Sequence, residues 1–504
     1  MHKRNIIFKI LSYLGISIIS LLMVPALVDT LGLELYGVIG VFNSSLYYIS
    51  LITISFTSTF SRNLLFSIES DKQGKPNIEY STNMLAVSIL FLLFTPIFYL
   101  NTSNIISFLS IPDKYYNESH YLLLAVYASF VISVYSGLYS SVYIIKNRLD
   151  IQSVNNFVGK AILFILVMYC VVNAESPTKI YSFSIVIAAT VLLCFNYFNF
   201  RRNFKFLVFK KNDVKLISLK NNINLSGWMF VNQVGSILLL QIPIYFTAIF
   251  VGYYFLGIYN ILLVIVTQIR LIGTLISSIF EPTIFKLVAQ DKKSETRWVT
   301  NLASLMLGVI TSVIVGVFIG SAEYFFDMWL KTYDSELIHI STFATVYLPL
   351  SVISTPFWSF LIAKKSLSVN SIATVIFGLI NLIALLGIEY TIGLNIYYII
   401  ISSSVILLIK NLVYLPLYMR RFGFRTDYFY ITALLSLVII IVSFMLTKTT
   451  FRYISPSSLF MVTSCYFIVC IIIFCIILSL WRTISKDNHF KKASIYFYNM
   501  KSTN

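Results

Sequence analysis

The chain has 504 residues, of which 58% are hydrophobic and 11% charged, with a net charge of +17 and a mean hydropathy of +0.84. A soluble domain carries about 25% charged residues, so this composition excludes a water-soluble globular protein and requires most of the surface to face lipid. Apolar runs long enough to cross a ~30 Å hydrocarbon core as helices, ~20 residues each, recur along the whole sequence, whereas a β-barrel would show alternating segments of ~10 residues.

The expected fold is all-α and polytopic, with about 14 transmembrane helices. The first apolar run, from Ile6 to Val28, follows Met-His-Lys-Arg-Asn, is too long for a signal-peptide core and has no small-residue cleavage site after it. It is expected to be retained. In order, the spans are residues 6–28, 36–60, 84–100, 120–145, 154–173, 180–200, 225–249, 256–280, 299–320, 340–362, 371–388, 396–417, 429–447 and 459–480. An even number places both termini on one side. With that side cytoplasmic, 28 of the 37 Lys and Arg fall in cytoplasmic segments, 5 in opposite loops and 4 inside spans. This asymmetry fixes the expected orientation and accounts for the net charge without a nucleic-acid partner.

Span starts in the first six and the next six differ by 215 to 220 residues, and the irregular loop lengths repeat with them. Six is even, so the second copy inserts in the same sense as the first. Parallel repeats of this kind are related by an axis along the membrane normal, with the substrate site between them near mid-membrane. The expected domains are a first lobe (1–200), a basic cytoplasmic linker (201–224), a second lobe (225–418), and a final section of two helices and a tail (419–504). The linker carries seven basic residues and one acid, Asp213, interleaved with Phe204, Phe206, Phe209, Leu216, Ile217 and Leu219. That mixture suits a segment in the headgroup layer with its cations on anionic lipid; the alternative is an ordinary positive-inside loop. The tail after Trp481 has the same mixed character.

Cys170, Cys194, Cys465, Cys470 and Cys475 all sit in apolar runs, as inert buried thiols do. The four histidines are too scattered to form a metal site. No Gly-x-x-x-x-Gly-Lys-Ser/Thr occurs, so direct use of ATP is not expected. No cofactor is expected and no catalytic residues are assigned.

One hairpin stands out. Pro25 precedes Leu31-Gly32, Glu34 and Tyr36-Gly37, and an echo follows 220 residues later as Val251-Gly252 and Leu256-Gly257-Ile258-Tyr259. Pro25 is expected to bend the first helix near its outer end, and Gly32 and Gly37 to permit a tight reversal and close backbone approach. Tyr254 stands where Glu34 would align.

The Leu-Gly-x-Glu-x-Tyr-Gly hairpin, the six-plus-six repeat and the two added helices resemble the lipid-linked oligosaccharide flippases of the multidrug/oligosaccharidyl-lipid/polysaccharide exporter superfamily. The O-antigen (Wzx-type) flippases of Gram-negative inner membranes are the branch most similar. The resemblance implies transfer of an undecaprenyl-diphosphate-linked repeat unit from the cytoplasmic to the periplasmic leaflet by alternating access, in the cell inner membrane. It implies a polysaccharide polymerase and a chain-length regulator as partners, beside membrane lipids.

A charge inside a span costs at least ~2.5–3.5 kcal/mol and marks a functional candidate. Four cations qualify: Arg270 about ten residues deep in the eighth span, Lys410 in the twelfth, Lys160 in the fifth, and Lys9 one turn into the first, where snorkelling offers an alternative. The spans hold almost no acid to balance them; Asp29, Glu281 and Glu389 lie at span ends. Unpaired cations in a membrane cavity imply an anionic ligand, and an arginine binds phosphate oxygens through two parallel hydrogen bonds. Asn232, Gln233, Gln241 and Asn381 are candidates for sugar hydroxyls or for helix–helix glue. Two other readings stay open: a multidrug-type cation antiporter on the same fold, which would need buried carboxylates, and a membrane polysaccharide polymerase or ligase, which would need a large outer loop.

Overall fold

The computed structural model describes residues 2–69, 75–146, 148–171, 174–330, 333–364 and 366–454. The expected fourteenth span and the tail lie outside them. Among the described residues the structure is helical, with no strand.

Twelve segments are long and apolar enough to cross a membrane. The first lies within α1 (His2–Glu69), which is two helices joined at Gly32, so thirteen of the fourteen expected spans fall on described helices. The first lobe continues with α2 (Lys75–Leu100), the short α3 (Thr102–Phe108), α4 (Tyr116–Ile145), α5 (Leu149–Leu166) and α6 (Pro177–Asn203). The second contains α7 (Leu216–Leu240), α8 (Ile242–Phe246), α9 (Tyr253–Ala289), α10 (Lys293–Gly320) and the short α11 (Ala322–Trp329). It goes on through α12 (Glu336–Val346), α13 (Leu348–Val352), α14 (Thr355–Ala363), α15 (Leu367–Ile392), α16 (Ile396–Leu408) and α17 (Leu415–Met419). The last described helix, α18 (Thr426–Ile454), lies outside the repeat and packs along α10.

The first joint falls inside the expected hairpin. The helix runs on through Pro25, and the break comes at Gly32, whose φ of 78° and ψ of 163° suit glycine alone. Gly252, 220 residues later, repeats it with φ 110° and ψ 165°. Between the lobes, α6 runs to Asn203 and α7 begins at Leu216, leaving 204–215 between them.

The two lobes meet through backbone. A Cβ on Gly37 would collide with the carbonyl oxygen of Tyr253, and a Cβ on Gly257 with the carbonyl oxygen of Leu33. Leu33 pairs with Tyr253, and Gly37 with Gly257, at a shift of 220, so each half contributes the same positions to a self-complementary contact, as a two-fold axis demands. Beside it Asn260 fills the space next to Gly40, its own equivalent, and donates to the carbonyls of Tyr36 (3.4 Å) and Gly37 (3.3 Å).

Polar glue repeats as well. In the first lobe Asn196 Nδ2 donates to Ser136 Oγ at 2.8 Å. Its Oδ1 accepts from Tyr143 OH and from Asn155 Nδ2, each at 3.1 Å, joining α4, α5 and α6. At a shift of 215, Asn411 Nδ2 donates to Ser351 Oγ at 3.0 Å, and Asn370 stands where Asn155 would be. Asn381 Nδ2 donates to the Leu238 carbonyl at 3.1 Å, tying α15 to α7, which makes it glue.

We call the end that carries the N-terminus and the cationic loops the basic side, and the other the far side. On the far side one buried core draws on both lobes, from Ile19 to Phe42, from Leu256 to Ile269, and on Phe318 and Phe326. On the basic side the core divides. Phe60, Tyr80, Phe130 and Phe200 belong to the first lobe, and Phe280, Phe357, Phe360 and Phe424 to the second.

Candidate functional site

The site is organised by α9. Its hydrophobic period of 3.6 is interrupted on one face by Arg270, Thr274, Ser278 and Glu281, spaced four, four and three residues apart. Residues so spaced share one stripe, and at 1.5 Å per residue this one is about 16 Å long. None of the four is buried, although the helix is otherwise closely packed.

Arg270 Nη2 donates to Tyr347 OH at 2.8 Å. A guanidinium has five donors, so most remain available, and among the described residues Arg270 forms no ion pair. It lines a narrow cleft of about 30 Å³ with Tyr259, Tyr347, Ser403 and Ser404. That volume accommodates one or two waters, so nothing larger enters unless the helices separate. Ser403 Oγ is buried and has no hydrogen-bond partner among the described residues. The cleft lies between α7, α9, α12 and α16, inside the second lobe.

The other three cations do not converge on it. Lys9 faces the lobe boundary: Nζ donates to Ser278 Oγ at 3.3 Å and it is an electrostatic neighbour of Glu281. Snorkelling is therefore the poorer account of Lys9, and Glu281 is part of the α9 stripe instead of a mere helix-end residue. Lys410 sits in a π-helical turn (Ile409–Tyr414) and lines a smaller cleft with Trp358, Asn370 and Asn411. Lys160 is on α5 in the first lobe and forms no hydrogen bond or ion pair among the described residues. Arg270 and Lys9 thus mark the two ends of one stripe, while Lys410 and Lys160 stand apart.

Glu34 is more than a turn residue. It pairs with Lys114 and accepts from Tyr115 OH at 3.0 Å. At a shift of 220 the second lobe repeats the contact in other chemistry: Tyr254 OH bonds Asp334 Oδ2 at 3.4 Å. Tyr36 is buried in the shared core. One cluster escaped the sequence reading. Buried Asp150 takes Arg4 at 2.9 Å and Arg148 at 3.1 Å, and its backbone N–H donates to Asn5 Oδ1 at 3.3 Å, fastening the N-terminus to the α4–α5 loop. The signal was one acid in the otherwise cationic stretch from Lys146 to Asp150.

No protein-family profile matches the chain. It is similar to the uncharacterized membrane protein EpsK of Bacillus subtilis (strain 168), at 22% identity over 422 residues, 82% of each chain. The structure is similar to the lipid II flippase MurJ in an inward closed conformation, with a TM-score of 0.72 at 14% identity, over 95% of this chain and 100% of that one. It is also similar to an inward-facing multidrug resistance MATE family transporter of the MOP superfamily, with a TM-score of 0.64 at 13% identity, over 83% and 98%. At these identities the likeness establishes a shared polytopic helical fold.

Proposed function

We propose that this protein is a flippase for a polyprenyl-diphosphate-linked oligosaccharide, with Arg270 as the group that receives the diphosphate. The observation that carries the reading is an arginine with no acid partner among the described residues, set at the inner end of the polar stripe on α9. A headgroup entering from the basic side, taken as cytoplasmic, would pass Glu281, Lys9, Ser278 and Thr274 before meeting it. Ser403, with its unmet hydroxyl, supplies a further donor. An anion leaving an inside-negative cell gains about 2.3 kcal/mol per charge per 100 mV if it crosses the full field, so the membrane potential supplies a driving force without ATP. The O-antigen repeat unit is the specific cargo that the hairpin resemblance favours, with inner-membrane placement, both termini cytoplasmic, and polymerase and chain-length regulator as partners. Lys410 and Lys160, remote from the stripe, are secondary candidates. A cation antiporter would want a carboxylate in the cleft, and none lines it.

The test is complementation of a flippase-null strain, scored by surface polysaccharide with protein level measured in parallel. Arg270→Ala is expected to abolish export while protein remains in the membrane, and Arg270→Lys, which keeps the charge without the planar fork, to restore part of it. Full export by Arg270→Ala removes Arg270 from the site; loss of protein together with export makes its role structural.

A further inference from the structure

The interlobe segment 204–215 is docked rather than loose. Its backbone N–H groups donate to side chains near the start of α2: Val208 to Asn77 Oδ1 at 3.2 Å, Lys210 to Ser81 Oγ at 3.0 Å and Lys215 to Thr82 Oγ1 at 3.1 Å. Arg201 Nη1 closes the near end on the Leu207 carbonyl at 2.9 Å. Phe204 and Leu207 are buried at 2% and 0% in the first-lobe core, whereas Phe206, Val208 and Phe209 are 54%, 43% and 45% exposed. Lys205, Lys210, Lys211 and Lys215 are exposed beside them. Inward and outward side chains are thus sorted by the docking, leaving an outer strip of aromatic rings and ammonium groups.

The charge balance separates this strip from the other cationic loops on the same side. There, several cations meet acids: Lys292 with Glu295 at 3.7 Å, Lys293 and Lys364 with Asp291 at 3.9 and 4.0 Å, and Arg425 with Asp427 at 3.1 Å. The four lysines of the strip form no ion pair among the described residues.

We propose that 204–215 is a binding strip for anionic phospholipid headgroups. Phosphoryl oxygens take the ammonium groups, and the rings of Phe206 and Phe209 enter the interface between headgroups and acyl chains. The outward rings favour a lipid over a free phosphate, which would leave them in water. The proposal is independent of the transported cargo.

The full chain is equilibrated in mixed micelles with equal amounts of phosphatidylglycerol and phosphatidylcholine, and the retained lipid is counted by mass spectrometry after size exclusion. The wild-type chain is expected to retain phosphatidylglycerol preferentially. The Lys205→Gln/Lys210→Gln/Lys211→Gln variant is expected to lose that preference by about threefold or more, with the matching Arg triple keeping it. Lys292→Gln/Lys293→Gln/Lys364→Gln in the acid-matched loop region is expected to leave it unchanged, and Phe206→Ser/Phe209→Ser to weaken it. Unchanged preference in the Gln triple, equal loss in the acid-matched loop, or equal loss in the Arg triple overturns the proposal. So does displacement of the lipid by millimolar inorganic phosphate with no effect of the Phe pair, which would assign the strip to free phosphate.

Discussion

The two lobes share their scaffold and differ in their charges. Glycine joints recur at 32 and 252, backbone contacts at 37 and 257, and Ser–Asn bonds at 136–196 and 351–411. The cations do not recur. Position 50 is Ser where the second lobe has Arg270, position 195 is Phe where it has Lys410, and Val375 answers Lys160. Packing at a two-fold axis has to satisfy both copies at once, so it keeps the same residues in both. A ligand that occupies one lobe places no such demand on the other, so charge is free to differ.

The largest expected effect tests the shared part. Gly37→Ala or Gly257→Ala drives a Cβ into backbone that no rotamer change can clear, and each is expected to cost about 1–3 kcal/mol and to lower the unfolding midpoint in detergent. Gly387→Ala, with open space around it, is the control and is expected to be neutral or stabilising. Equal behaviour of Gly257→Ala and Gly387→Ala would dissolve the axial contact.

A second comparison measures how unequal the repeated glue has become. Among the described residues the Asn196 side chain has four hydrogen bonds, to three side chains and one carbonyl, while that of Asn411 has one. Asn196→Ala leaves buried partners unmet and is expected to cost about 1–3 kcal/mol; Asn411→Ala is expected to cost about 0.6 kcal/mol, the mean for such bonds between membrane helices. Thermal unfolding of the two variants decides it, and the reverse order would mean that the first-lobe network is not a unit.

The smallest effect concerns the outer contacts. Lys114→Ala removes an ion pair from the first lobe and Tyr254→Phe a hydrogen bond from the second, both at exposed positions. Each is expected to move the unfolding midpoint less than Asn411→Ala does, and the Lys114→Ala effect alone is expected to depend on salt.

Much of this was legible in the sequence, for a physical reason. Spans follow from the apolar period, and a shift near 220 survives in glycines because no other residue adopts the dihedrals at 32 and 252. The Gly37–Gly257 contact was anticipated only as close backbone approach, since a sequence does not say which backbone approaches. The cleft beside Arg270 was not legible because depth along a helix can be counted but azimuth cannot: Arg270 points at Tyr347 within its own lobe, and Lys9 points across the boundary at Ser278. The partner of Glu34 lay 80 residues away in sequence at Lys114, and no local pattern connects them.

A core that is common at the far side and divided at the basic side would act as a lever if the lobes rock against one another. The Gly37–Gly257 contact is its fulcrum, and Ser278 lies 21 residues further along α9, about 32 Å away at 1.5 Å per residue. Turning the second lobe by ten degrees about that point carries Ser278 through about 5–6 Å, enough to part it from Lys9, while atoms next to the fulcrum move by a small fraction of that. Among the described residues the Lys9–Ser278 hydrogen bond of 3.3 Å joins the lobes on the basic side, whereas the core on the far side is large and apolar. Strength and yield are therefore at opposite ends of the same arm.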